Sequence, residues 1–252
     1  MYRVLMPGEP EVRLEVSKAV LASRPGQGQD RVAIVRVRGG YVVAVADGAG
    51  GLGGGAKAAD RALRDVAAHA RTDLVQEPQA WTSLLEGTDA ALASAGGQCA
   101  IVLATFIGTR IVGASVGDCG AWLVDDTTTD LTAKQFRKPL LGSGASSAVP
   151  FEAELNPGAT LLLASDGLLK HAPHDRIWSL VREPELCCRR ALPCFHAVSH
   201  SHCADRSSTN SQTLHNQCAM DAPTMVPVRF RSQAKSSAGM KTARRQGAGV
   251  SR

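Results

Sequence analysis

No uninterrupted apolar run of about 18 residues occurs in this chain, so no helical membrane span is expected. The opening Met1-Tyr2-Arg3-Val4 likewise lacks the apolar stretch of a secretory signal. Cysteine is scarce where a fold is legible: of seven cysteines, only Cys99 and Cys119 precede residue 187. Both sit in apolar contexts and read as small buried residues of a reducing compartment, so a cytoplasmic location is expected. A phosphate-binding loop of the Walker type is also missing, because Lys57 stands between Ala56 and Ala58. Basic excess is absent from most of the chain as well. From Cys187 onward ten Lys and Arg face two Asp, which makes +8 and leaves the preceding residues at −3. The net +5 therefore belongs to the C-terminal stretch, and no nucleic-acid partner is expected for the folded part.

What is present is a recurring pattern of an apolar strand that ends in aspartate and glycine. It occurs at Val42-Val43-Ala44-Val45-Ala46-Asp47-Gly48-Ala49-Gly50-Gly51, again at Leu161-Leu162-Leu163-Ala164-Ser165-Asp166-Gly167-Leu168, and in related form at Ile111-Val112-Gly113-Ala114-Ser115-Val116-Gly117-Asp118. Taken singly, each Asp-Gly is a turn signal. Taken together, carboxylates at the rims of apolar strands, beside backbone free of side chains, suit a shared oxygen-rich site for a hard cation. A carboxylate at the end of a buried strand is costly without a cationic neighbour.

Gly48-Ala49-Gly50-Gly51-Leu52-Gly53 also fits the glycine fingerprint of dinucleotide-binding folds. Three features oppose that alternative. Asp47 would repel a pyrophosphate, the segments on either side of Arg38-Gly39-Gly40 read as an antiparallel hairpin, and no acid-ending strand follows about 20 residues on.

Strands are expected at 32–37, 41–46, 99–106, 110–116, 121–124 and 159–165, with helices at 56–74 and 79–95. Short connections favour antiparallel pairing, and helices inserted between hairpins favour helix packed on sheet, an α+β fold. The alanines from Ala56 to Ala70 suit close packing of the first helix on a sheet. The domain is expected to span residues 1–182. Residues 183–252 read as a basic tail rich in Cys, His and Ser, without periodicity. Three readings stay open for it: a zinc module, although no C-x₂₋₄-C pair has a matching partner pair; a disordered basic arm; or the product of a shifted reading frame.

Gln29-Asp30-Arg31, Val45-Ala46-Asp47-Gly48-Ala49-Gly50-Gly51, Val116-Gly117-Asp118-Cys119-Gly120-Ala121-Trp122 and Ala164-Ser165-Asp166-Gly167-Leu168 resemble, in order and spacing, successive motifs of the PPM-type (type 2C) metal-dependent serine/threonine protein phosphatases. Lys138-Pro139-Leu140-Leu141-Gly142-Ser143-Gly144 continues in the style of compact bacterial members. The resemblance implies a sandwich of two antiparallel sheets flanked by helices, lacking its last elements here. It implies two Mg²⁺ or Mn²⁺ ions, with room for a third, and hydrolysis of phosphoserine or phosphothreonine on protein substrates. A monomer, served by a cognate kinase, would follow.

Carried over by motif, Asp47 would bridge two ions with the Gly48 carbonyl as a further ligand, Asp166 would hold one of them, and Asp118 would serve the additional position. Asp30 would orient water, and Arg24 would grip phosphate. Two departures stand out. Gln29 replaces an acidic residue, and no Asp-Asn or Asp-Asp pair leading into a final strand is read beyond Gly167, neither Asp205 nor Asp221 opening an apolar run. A catalytically impaired domain that binds phosphorylated partners, or a non-functional product, is therefore the alternative from a different functional class.

Overall fold

The computed structural model describes residues 12–16, 18–20, 28–49, 54–183 and 224–232. Along the chain run β1 (Val12–Val16), β2 (Ala19–Val20), β3 (Arg31–Val37), β4 (Gly40–Ala49), α1 (Gly54–His69), α2 (Pro78–Ala95), β5 (Gln98–Ile107), β6 (Arg110–Val116) and β7 (Gly120–Val124). There follow β8 (Thr128–Asp130), β9 (Val149–Glu154), β10 (Thr160–Ala164), α3 (Asp166–His171), α4 (His174–Arg182) and β11 (Thr224–Ser232). One sheet has the order β3-β4-β5-β6-β9 and the other β1-β11-β10-β7-β8, with β2 beside β11. All the pairings are antiparallel.

The strand sequences explain the layering. Val43 and Val45 of β4 meet Leu161 and Leu163 of β10 in the core between the sheets. Their neighbours Val42, Ala44 and Ala46 face the other way, onto Ala58, Ala59 and Ala62 of α1 and Trp81 of α2. Leu162 and Ala164 of β10 similarly face Ile177 and Val181 of α4. Strands buried on both faces carry continuous apolar runs instead of alternation. The result is helix, sheet, sheet, helix: the expected α+β sandwich. The hairpin β3–β4 pairs Val37 with Gly40 in antiparallel register, so β4 does not open a parallel βαβ unit and the dinucleotide-binding reading is set aside.

Helix α1 ends at His69 rather than Leu74. There Arg71 N–H bonds Ala68 O, Thr72 N–H bonds His69 O, and the Thr72 hydroxyl donates to His69 O at 2.8 Å, which tightens and closes the last turn. Buried Trp81 donates its indole N–H to Val75 O at 3.0 Å and to Thr105 Oγ1 at 3.1 Å, tying α2 to the turn before it and to β5. Asp89 of α2 accepts from the backbone N–H groups of Gly142 (2.6 Å) and Ser146 (3.1 Å), and Leu141 forms a bridge with Cys99. The 138–144 motif is thereby pinned beside the strand pair that carries Asp47.

One element the sequence reading did not expect is β11, which lies in the segment read as a basic tail. Residues 224–232 fill the slot between β1 and β10, with Val16 opposite Val228 and Leu163 opposite Val226. Residues 224–232 thus add a paired strand to this sheet from within the C-terminal segment. A central strand with Pro227 in it gives up a ladder donor, and the paired arginines Arg229 and Arg231 mask its apolar alternation. The other residues of that segment, including its cysteines and histidines, lie outside the described residues.

Arg229 has its own anchoring role. Buried, it donates to Thr160 Oγ1 at 3.0 Å and to the carbonyls of Val181 and Glu183 at the end of α4, satisfying oxygens that a helix terminus leaves unpaired. Arg229→Met is expected to lower stability by ~1–3 kcal/mol, through buried carbonyls left without a donor. A urea midpoint equal to that of the unsubstituted chain would show that these bonds contribute nothing net.

Candidate metal centre

Four aspartates reach one end of the sandwich because of where strands begin and end. Asp47 lies near the end of β4, and Asp30 directly precedes β3, whose Arg31 is paired with Ala46. Asp118 sits in the crossover from β6 to β7, between the two sheets, and Asp166 opens α3 straight after β10. The glycines beside Asp47 serve close packing. A Cβ on Gly48 would collide with the backbone of Gly55, and one on Gly55 with the backbone of Gly48 and with Gln29 Oε1, so the strand end and the start of α1 touch backbone to backbone. Gln29, read as a departure, thus lies against the N-terminal turn of α1.

Burial and mutual repulsion dominate the electrostatics. The Asp47 carboxyl is pushed up to about 9, first by burial and then by the charge of Asp30, a hydrogen bond with Asp30, and the charges of Asp166 and Asp118. Asp118 rises to about 6, through burial, a hydrogen bond with Asp166 and that residue's charge, opposed by the Lys170 ammonium. Asp30 is raised as well, chiefly by burial. Behind the site the thiol of buried Cys119 is held well above its ordinary range by burial, then by Asp47, Asp30, Asp118 and Asp166 together.

Sequence reasoning missed two residues here. The hydroxyl of Ser165 donates to Asp30 Oδ2 at 2.8 Å and accepts from Thr224 N–H at 3.1 Å, while Ser165 N–H donates to Thr224 O at 2.9 Å. It joins both sheets and β11 at the site. Lys170, one helical turn after Asp166, pairs with Asp166 Oδ2. Its i,i+4 spacing was the available signal. Thr224, the first residue of β11, lies three positions after Asp221 in the sequence, so a carboxylate does precede a final strand, followed by Ala222-Pro223 rather than by Asn or Asp. Arg24 and Asp221 lie outside the described residues.

The donor set suits a hard cation: carboxylate oxygens at the ends of buried strands, with Asp47 and Asp118 held above the usual carboxylate range by burial first and neighbouring carboxylates second, and a lysine already drawn to Asp166. Among the described residues no group of three acidic, histidine or cysteine side chains forms a ready-made cage. The carboxylates are instead paired by hydrogen bonds, Asp30 with Asp47 and Asp118 with Asp166. Beside them opens a cleft of about 510 Å³, lined by Asp118, Asp166, Lys170 and Arg137, with Trp122 and Trp178 on its wall.

No family model matches the chain, and no curated protein matches it in sequence. Solved structures do. The catalytic domain of the serine/threonine protein phosphatase PstP in complex with two manganese ions aligns with a TM-score of 0.67 at 17% identity, over 87% of this chain and 99% of that one. Serine/threonine phosphatase Stp1 from Staphylococcus aureus gives 0.69 at 16% identity over 86% and 94%. The serine/threonine phosphatase of S. agalactiae gives 0.68 at 16% identity over 86% and 99%. This chain has the fold of the bacterial serine/threonine phosphatases.

Proposed function

We propose that this protein is a metal-dependent phosphatase that hydrolyses phosphoserine or phosphothreonine on protein substrates. The observation that carries the reading is the placement of Asp30, Asp47, Asp118 and Asp166 at strand ends, with Asp30 hydrogen-bonded to Asp47 and Asp118 to Asp166, on a fold shared with a phosphatase solved with two manganese ions. Divalent ions bound here would supply electrophilic pull on phosphate oxygens and an acidified water. The chain's residues do the rest. Asp47 and Asp166, with the Gly48 carbonyl, provide anionic and neutral oxygens for Mg²⁺ or Mn²⁺, and Asp118 provides a further one. Asp30, fixed by the Ser165 hydroxyl, is placed to orient water and accept its proton at a carboxylate oxygen. Arg24 is assigned to the phosphate, for which its planar fork is suited. The cleft beside Asp118 and Asp166 accepts the phosphorylated segment, with Trp122 and Trp178 as an apolar wall. A cytoplasmic monomer working opposite a protein kinase completes the reading.

A binding module without turnover is the competing view, favoured by the lack of a ready-made ion cage among the described residues. Phosphopeptide hydrolysis separates the two. Phosphate release is expected with Mn²⁺ or Mg²⁺, to vanish in EDTA and to return when the metal is restored. Release that persists in EDTA contradicts the metal-dependent mechanism, and phosphopeptide binding without release supports the module.

A further inference from the structure

Lys170 has no role in the reaction described above, yet its ammonium lies against Asp166 Oδ2. The two side chains differ in freedom. That of Asp166 is 12% exposed and that of Lys170 is 48% exposed, the stem running along α3 to the cleft that Lys170 lines together with Arg137 and His174. The same charge acts on Asp118, drawing its carboxyl back toward its ordinary range. Among the described residues Lys170 is the cation in contact with this carboxylate group. Arg31, near Asp30 in sequence, turns outward to Asp60 at 2.7 Å.

We propose that Lys170 is a resident counter-ion that competes with the divalent cation for Asp166 and Asp118, so that loading the site requires its ammonium to swing out into the cleft. The inference rests on the reading of Asp166 as a cation ligand. An ammonium and a divalent ion cannot share the same carboxylate oxygen without mutual repulsion, and in a partly buried site that repulsion is weakly screened. A lysine stem half in solvent, with a cleft of about 510 Å³ beside it, has somewhere to go. Without a bound ion the same contact offsets part of the repulsion between Asp166 and Asp118. The lysine therefore both offsets carboxylate repulsion and sets a threshold for metal concentration. An ordinary exposed i,i+4 pair would do neither.

The test is Mn²⁺ affinity, measured by calorimetry on the full chain and on its Lys170→Met and Lys170→Arg variants, with circular dichroism melts to confirm folding. Lys170→Met is expected to tighten Mn²⁺ binding about fivefold or more at low ionic strength, with the gain shrinking as salt is raised to about 0.5 M. Lys170→Arg, which keeps the charge, is expected to stay near the unsubstituted chain. Equal or weaker affinity for Lys170→Met overturns the proposal, and so does an arginine variant that tightens as the methionine one does. In both cases the unsubstituted chain still binds metal, so the carboxylate reading stands. If neither it nor any variant binds Mn²⁺, both readings fall together.

Discussion

A chain ending at Glu183 is expected to lose its cooperative unfolding transition and to aggregate on purification. Removing β11 takes out the strand shared by two neighbours: β1 loses its partner from Val12 to Val16, and β10 is left paired on one side only, with β7. Val226 and Val228 leave the core between the sheets, and Met225 leaves the cluster under α4. Fully burying such side chains contributes ~1.5–3 kcal/mol each, so the loss is comparable with the entire ~5–15 kcal/mol stability of a domain. The bare edge of β10, with Leu161, Leu162 and Leu163, would invite pairing with other chains. Size-exclusion chromatography and thermal melts read both effects. A truncated chain that stays monomeric and melts as the full one does would mean that β11 is dispensable.

Asp47→Asn is expected to weaken Mn²⁺ binding on the order of 100-fold or more, while making the metal-free protein more stable. In the metal-free chain Asp47 keeps its proton up to about 9, whereas the ordinary aspartate value is 3.8. Between those values the folded state holds a proton that the unfolded state has released, so stability falls as pH rises through the window. Asp118, raised to about 6, adds to the slope at its acidic end. Asparagine removes the titratable group at Asp47 and should flatten the decline. A melting temperature about 3–6 °C higher near neutral pH corresponds to ~1–2 kcal/mol in a domain of this size. Added Mn²⁺ should then raise the melting point of the unsubstituted chain and leave that of the variant nearly unmoved. Asp118→Asn, at the rim, should be milder in metal affinity. A variant less stable than the unsubstituted chain without metal would show that Asp47 is held by something other than repulsion among carboxylates.

Much of this was legible from residues alone. The hairpin around Gly39 and the strand at 110–116 follow from dense β-branched runs and short turns, which specify pairing locally. Asp47, Asp118 and Asp166 stood out because each follows an apolar run, and apolar runs that end in charge mark the rim of a core, whereas Asp30, preceded by Gln27-Gly28-Gln29, was singled out only by the family resemblance. β11 was not legible: its pairing partners Val12–Val16 and Thr160–Ala164 are remote in sequence, and Pro227 and Arg229 argue against a central strand until the sheet and the end of α4 are seen around them. Ser165 looked like one letter in a motif, and its bonds to Asp30 and Thr224 exist only once three distant segments meet. Asp89, buried on α2, was passed over for a similar reason: the backbone N–H groups it holds belong to a loop more than 50 residues away.

The most direct test of the central claim, that the aspartate cluster is a divalent-cation site, is a Mn²⁺ titration of the metal-free full chain followed by electron paramagnetic resonance. Saturable loss of the free-ion signal is expected for the unsubstituted protein, and its disappearance in both Asp47→Asn and Asp166→Asn. Binding that is equally strong in all three proteins would place the metal elsewhere and contradict the account.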